Sequence, residues 1–329
     1  METKKKILKT LGLFLFPLIL FIVVLFCLPF NKQYAYHFLK NECNEKGAWI
    51  HDRIFINPDP VDIAFIGSSR IKASIIEEVL EDSLPHLYSN MLAHDSTRSV
   101  FVGNFGYCRW GRNMDYAIIK DIFKRKHPGY IIVELHEEEE RLSHIDFAYM
   151  ADAEDVVMPV PFFNQNIFQD YYHALLIRFD ILKHRWLYPA DTFKVNNDDH
   201  SFPVFGSSEQ RASVDELNAL KKKKEAGGYV SGPFENWINN RYPLIYLKKI
   251  ADLARSHHCK LFFLYLPEFG ATPIAKNAFD YCKNYGPVWI PPDTLLTNIA
   301  NYRDAGHFNN SGGLMLSAWL ANQLRPYQR

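Results

Sequence analysis

The sequence predicts an α/β protein: a three-layer α/β/α sandwich around a mostly parallel, doubly wound sheet. Three observations carry this reading. Short apolar runs at Asp62–Ile66, Val100–Asn104, Tyr130–Leu135, Lys260–Leu266 and Val288–Ile290 have the length of buried strands. Helical patterns at Ser74–Asp82, Asn113–Lys126, Pro243–His257 and Gly313–Leu324 follow such runs, as crossover helices do between parallel strands. Hydrophobic residues make up 48% of the 329 residues and aromatics 15%, which is enough for a large core.

The N-terminal residues are of another kind. Lys4, Lys5, Lys6 and Lys9 form a basic tail over residues 1–10, and residues 11–30, LGLFLFPLILFIVVLFCLPF, are apolar throughout. That run has about the length a helix needs to cross a bilayer. A signal peptide also begins with basic residues, but its apolar part is shorter and ends in small residues. Here the run ends Phe26–Cys27–Leu28–Pro29–Phe30, and the large Phe26 fits a lipoprotein cleavage site poorly. The expectation is an uncleaved single-pass anchor in the cytoplasmic membrane. Its lysines stay inside and residues 31–329 lie outside, in the periplasm or beyond the cell.

Residues 31–57 read as a helical, aromatic-rich connector, and the domain proper as 58–329. Its rhythm is interrupted at about 141–240, first by aromatics (Phe162, Phe163, Phe168, Tyr171, Tyr172, Trp186, Tyr188), then by polar residues and Lys221–Lys224. This stretch reads as an insertion beside the sheet, where substrate contacts often lie. A formal net charge of zero argues against nucleic acid as a partner. Cys43, Cys108, Cys259 and Cys282 match no zinc spacing; they are open to disulfide pairing or to burial as free thiols.

Ligand sites of open α/β sheets form where strand ends meet the following loops. Four segments fall on that edge: Gly67–Ser68–Ser69–Arg70, Asn104–Phe105–Gly106–Tyr107, His136–Glu137–Glu138 and Asp304–Ala305–Gly306–His307–Phe308. A serine hydroxyl becomes a nucleophile when a base takes its proton, and the base needs a third group to orient it. Asp304 and His307 are three apart in a glycine-containing loop, so the aspartate can reach one ring nitrogen while the other faces a serine. Taken alone, that pair also reads as a helix-capping aspartate and a surface histidine. Gly67–Ser68–Ser69 likewise also reads as a turn and a helix cap.

Strand–G-x-S near the start, N-x-G after the second strand and D-x-x-H before the last helix together resemble the GDSL/SGNH hydrolase family. The likeness covers roughly residues 60–140 and 243–325. It implies a flavodoxin-like SGNH fold, Ser69 as nucleophile, and Asp304 and His307 in the places of the family's final aspartate and histidine. It also implies an oxyanion hole from the N–H groups of Ser69 and Gly106 and from a third-block asparagine, and no metal or organic cofactor. This sequence departs from the pattern twice. Ser68 replaces the usual aspartate, and Leu135–His136–Glu137–Glu138 carries no asparagine, so either His136 is the third donor or the oxyanion site is weakened.

Arg70 and Asn104 are candidate substrate contacts, with pairing to a nearby carboxylate as the other reading of Arg70. Gly-Ser-Ser with the expected membrane anchor resembles a narrower group, the D-alanine transfer protein and the alginate acetylation proteins. That likeness implies an extracytoplasmic acyl esterase or O-acyltransferase acting on an envelope or secreted polysaccharide, with a membrane-bound O-acyltransferase as partner. The other reading is a non-catalytic scaffold or carbohydrate-binding partner on the same fold. A second Gly-Ser-Ser, Gly206–Ser207–Ser208, follows a short run containing Pro203 and reads as a loop and helix cap.

Overall fold

The computed structural model describes residues 2–28, 30–37, 44–84, 100–109, 111–136, 143–157, 166–187, 211–226, 233–271 and 276–328. The chain is α/β. Five strands, β1 (Ile63–Ile66), β2 (Val102–Asn104), β3 (Tyr130–Leu135), β4 (Lys260–Tyr265) and β5 (Val288–Trp289), form one sheet in the order β2-β1-β3-β4-β5. Every pairing is parallel. All five lie within the runs expected of them.

Helices α1 (Glu2–Cys27), α2 (Lys32–His37) and α3 (Asn44–Phe55) precede β1. α4 (Ser69–Ser74) and α5 (Glu77–Ser83) connect β1 to β2, and α6 (Arg112–Arg125) connects β2 to β3. Between β3 and β4 lie α7 (Phe147–Met150), α8 (Ala153–Val157), α9 (Ile167–Leu187), α10 (Val214–Ala226) and α11 (Pro233–Ser256). α12 (Lys276–Lys283) leads to β5, and α13 (Asp293–Leu296) and α14 (Asn310–Leu324) close the chain.

Strand alternation sends side chains to two cores. Ala64, Ile66, Ile131 and Val133 pack with Ile118 and Ile122 of α6 and Leu247 and Ile250 of α11. Ile63, Phe65 and Ile132 pack with Ile71 and Leu80 from α4 and α5 and with Leu316 and Leu320 of α14. The sheet is therefore covered on both faces, which is why its strands are predominantly apolar.

The helix expected from Ser74 to Asp82 is two helices instead. Ser68 caps α4 by accepting from Arg70 N–H at 3.1 Å, and Ile75 and Ile76 are extended, so the chain turns between α4 and α5. A serine cap starts the helix five residues earlier than apolar periodicity alone suggests.

The connector is bound to the sheet edge rather than loosely appended. Lys46 on α3 donates to Asn104 O at 2.7 Å, and Arg53 donates to Val102 O at 3.3 Å. Cys108 is disulfide-bonded, and Cys27, Cys259 and Cys282 are free.

At the N-terminus, α1 exposes Leu13, Phe16, Leu18, Ile19, Val23 and Val24. Among the described residues, no helix is long and apolar enough to cross a membrane. The anchor expected over residues 11–30 is thus unsupported here: α1 begins in the charged tail at Glu2 and closes at Cys27.

Candidate active site

Strand β1 lies between β2 and β3, so the connections leaving it diverge at its carboxyl end. This is the switch point at which open α/β sheets bind ligands. The chain leaves Ile66 through Gly67 and Ser68 and enters α4 at Ser69. Gly67 leaves no room for a side chain, because a Cβ there would lie 2.6 Å from the Cβ of buried Glu134.

The second component comes from the loop before α14. Tyr302 and Phe308 pair as an antiparallel bridge, and Arg303 N–H donates to His307 O at 2.9 Å, which closes a tight loop over residues 303–307. Asp304 Oδ1 accepts from Gly306 N–H at 2.9 Å, from His307 N–H at 3.0 Å and from His307 Nδ1 at 2.8 Å. Burial alone would raise the Asp304 carboxyl. The hydrogen bond and charge of His307, the Gly306 N–H and Arg303 reverse this and hold it well below the usual carboxylate range.

His307 Nε2 lies 2.8 Å from Ser69 Oγ. An ionised Asp304 accepts a hydrogen bond from Nδ1–H, so Nε2 carries the lone pair and accepts from the serine hydroxyl. Ser69, His307 and Asp304 form one hydrogen-bonded chain of nucleophile, base and orienting carboxylate.

The chain opens into a cleft of about 410 Å³, lined by Ser69, His307, Arg70, Arg109, Ser143 and Asn166 among others. Arg70 lines it but is held in place: its Nη1 donates to Leu266 O at 2.7 Å and its Nη2 pairs with Glu268 at 3.2 Å. Glu268 also accepts from Lys224 at 2.6 Å. Burial pushes the Glu268 carboxyl up, but Lys224, Arg70 and His307 together hold it below its ordinary value. Pairing of Arg70 with a nearby carboxylate is therefore what the structure contains.

Three expected site residues, Asn104, His136 and Gly106, are placed elsewhere. Asn104 is buried, and its Nδ2 donates to Ile71 O at 3.1 Å and Ile75 O at 3.0 Å. It closes the end of α4 and does not face the cleft. His136 is also buried, and its Nε2 faces Glu134 at 3.2 Å. Residues two apart on a strand share a face, so His136 follows Glu134 inward rather than toward an oxyanion.

Gly106 N–H donates to Asn104 Oδ1 at 3.1 Å, and Gly106 packs on the backbone of Lys72. Of the proposed oxyanion donors, Ser69 alone lines the cleft. Glu137, Glu138 and the second Gly-Ser-Ser at 206–208 lie outside the described residues.

Sequence reasoning missed Glu134, Ser143, His144, Asn166 and Glu268. Glu134 had a signal: it is the one charged residue inside the apolar run Tyr130–Leu135. The others sit in loops or at a helix end, where no periodicity marks them.

Comparison of the chain with protein-family models, with curated proteins and with solved structures finds no match.

Proposed function

We propose that the protein is a serine acyl esterase or O-acyltransferase of the SGNH type, acting outside the cytoplasm on an acylated polysaccharide. The observation that carries this is the continuous chain from Ser69 Oγ through His307 to Asp304. The strand order and the position of the serine after β1 support the SGNH reading. The cleft sets the polar side chains of Arg109, Ser143 and Asn166 beside apolar surface, which suits a substrate with both hydroxyl groups and an acyl chain.

In this reading His307 Nε2 takes the hydroxyl proton as Ser69 Oγ attacks the ester carbonyl carbon. The tetrahedral intermediate collapses, and His307 returns that proton to the departing alkoxide oxygen. Water or a sugar hydroxyl then gives its proton to His307 and attacks the acyl carbon; the acyl–Oγ bond breaks, and His307 returns the proton to Ser69 Oγ. Asp304 keeps Nδ1 protonated throughout and stabilises the imidazolium. Ser69 N–H is the donor nearest the developing oxyanion. Gly106 N–H joins it only by leaving Asn104 Oδ1. A membrane-bound O-acyltransferase remains the proposed partner.

The extracytoplasmic placement is supported by the lysine-led apolar run 11–30, by the exposed apolar side chains of α1 and by the Cys108 disulfide. A reporter fused to the C-terminus that is active only in the cytoplasm would overturn this placement.

A second reading, a non-catalytic binding protein with the same cleft, is favoured by the inward-turned Gly106 N–H. A fluorophosphonate probe separates the two. The enzyme reading expects labelling of wild type, none of Ser69→Ala, and hydrolysis of an activated acetyl ester. Neither labelling nor turnover in wild type leaves the binding reading.

A further inference from the structure

One charged group beneath the nucleophile turn has no part in the triad chemistry. Glu134 lies in β3, between β1 and β4, and is fully buried. Parallel pairing sets Ile66 beside Val133, so the residues that follow, Gly67 and Glu134, meet at the strand ends. Glu134 Oε2 accepts from Ser68 N–H at 2.6 Å, and Oε1 accepts from Ser68 Oγ at 3.1 Å. Ser68 Oγ in turn accepts from Arg70 N–H.

A single hydroxyl therefore donates inward to the carboxylate and accepts from the first turn of α4. An ionised aspartate at 68 can cap α4, but it has no proton to give Glu134 and sets a second carboxylate against the first.

Charged groups also act on Glu134 from the helices packed over it. Arg70 on α4 and Arg112 on α6 favour its ionised form. His136, the residue after the end of β3, is kept neutral by burial and by the same two arginines. Burial is the strongest influence on Glu134 and raises its carboxyl to about 7 despite those attractions.

We infer that Glu134 is a positioning residue for Ser69. Its ionised carboxylate holds the nucleophile turn through both donors of Ser68, and the two residues are a matched pair that excludes aspartate at position 68. The inference rests on the triad reading for what the turn positions, but the pairing itself is testable without turnover. It also explains why Ser68 stands where the resembling family carries aspartate.

The test uses the full-length protein in detergent and four variants: Ser68→Asp, Glu134→Gln, the double variant and Ser68→Ala. Ser68→Asp should lower the melting temperature and reduce kcat by at least roughly tenfold, a lost interaction of ordinary size. In the Glu134→Gln background the same substitution should cost much less of both, because the amide donates to the new carboxylate. Equal cost in the two backgrounds overturns the pairing.

Ser68→Ala guards against a double variant that does not fold. Losing one donor to the carboxylate should move the acid limb of kcat/KM to higher pH, and Glu134→Gln should remove the contribution of Glu134 to that limb. A Ser68→Ala profile superimposable on wild type overturns the positioning role. If wild type has no turnover, the esterase reading fails, while the melting-temperature comparison still decides the pair.

Discussion

His307 Nε2 stands 2.8 Å from Ser69 Oγ across 238 residues of chain. Ser69 begins the first helix after β1, and His307 sits in the loop before α14. The contact exists because α14 packs against α4 and α5, through Leu316 and Leu320 on one side and Ile71 and Leu80 on the other. Ser317 Oγ also accepts from Ile76 N–H at 3.0 Å, which fixes the register of that packing.

Triad members act as a unit, so their losses should not add. Ser69→Ala should reduce turnover of an activated acetyl ester by at least roughly a thousandfold, the scale of a lost activated nucleophile. His307→Ala should cost about as much, and the double variant little more. Asp304→Asn should be similar or milder, since it misorients the imidazole without removing it. Circular dichroism should show all of these folded. A Ser69→Ala protein that keeps most of the wild-type rate refutes the assignment.

The second Gly-Ser-Ser provides a control. Ser208→Ala should stay within a few fold of wild type, because its segment carries Pro203 and makes a poor strand. A loss as deep as that of Ser69→Ala would move the nucleophile to position 208.

Glu134 and Asp304 should give stability opposite dependences on pH. The Glu134 carboxyl is raised from 4.5 to about 7 in the folded protein, chiefly by burial. Its contribution to stability is therefore greatest below the unfolded value and is lost as pH rises through about 7. The full swing is on the order of 3 kcal/mol. Asp304 is shifted the other way, so its contribution is present above the unfolded carboxylate value and is lost as pH falls. Thermal melts at about pH 5 and about pH 8 check the first, and melts carried down to about pH 2 check the second. Glu134→Gln should gain on wild type toward the alkaline end, and Asp304→Asn should blunt the loss on acidification. Parallel curves for Glu134→Gln and wild type would refute the Glu134 shift.

Gly106 should tolerate no side chain. A Cβ there would lie 2.3 Å from Lys72 N and 2.9 Å from Lys72 Cα, both backbone atoms of the helix that starts at Ser69. Gly106→Ala should cost about 1–3 kcal/mol in chemical denaturation, as overpacking does. It should also lower turnover further than its stability loss explains, because α4 must shift. Wild-type stability in this variant would show that the loop after β2 does not press on α4 as described.

Much of the molecule was legible in the sequence because its signals are local. Each strand is buried on both faces and reads as an apolar run, and each crossover helix carries its own period. Asp304 and His307 were readable as a pair because they share one short loop and need only three residues between them. The serine turn was readable because a glycine and two small hydroxyl residues interrupt a strand–helix junction.

Tertiary structure alone decided what faces the cleft. Asn104 and Gly106 at the end of β2 and His136 at the end of β3 lie on the same sheet edge as Ser69, yet Asn104 closes α4, Gly106 donates to Asn104, and His136 turns to Glu134. Which way a side chain points at a strand end depends on the pleat and on the helix packed over it, and neither is written in spacing. Glu134 and Ser68 show the same limit. Their residue types are plain in the sequence, but their partnership is fixed by the parallel register that sets Ile66 beside Val133. Contacts between distant segments are a property of the packed sheet, whereas strands, turns and caps are properties of the segments themselves.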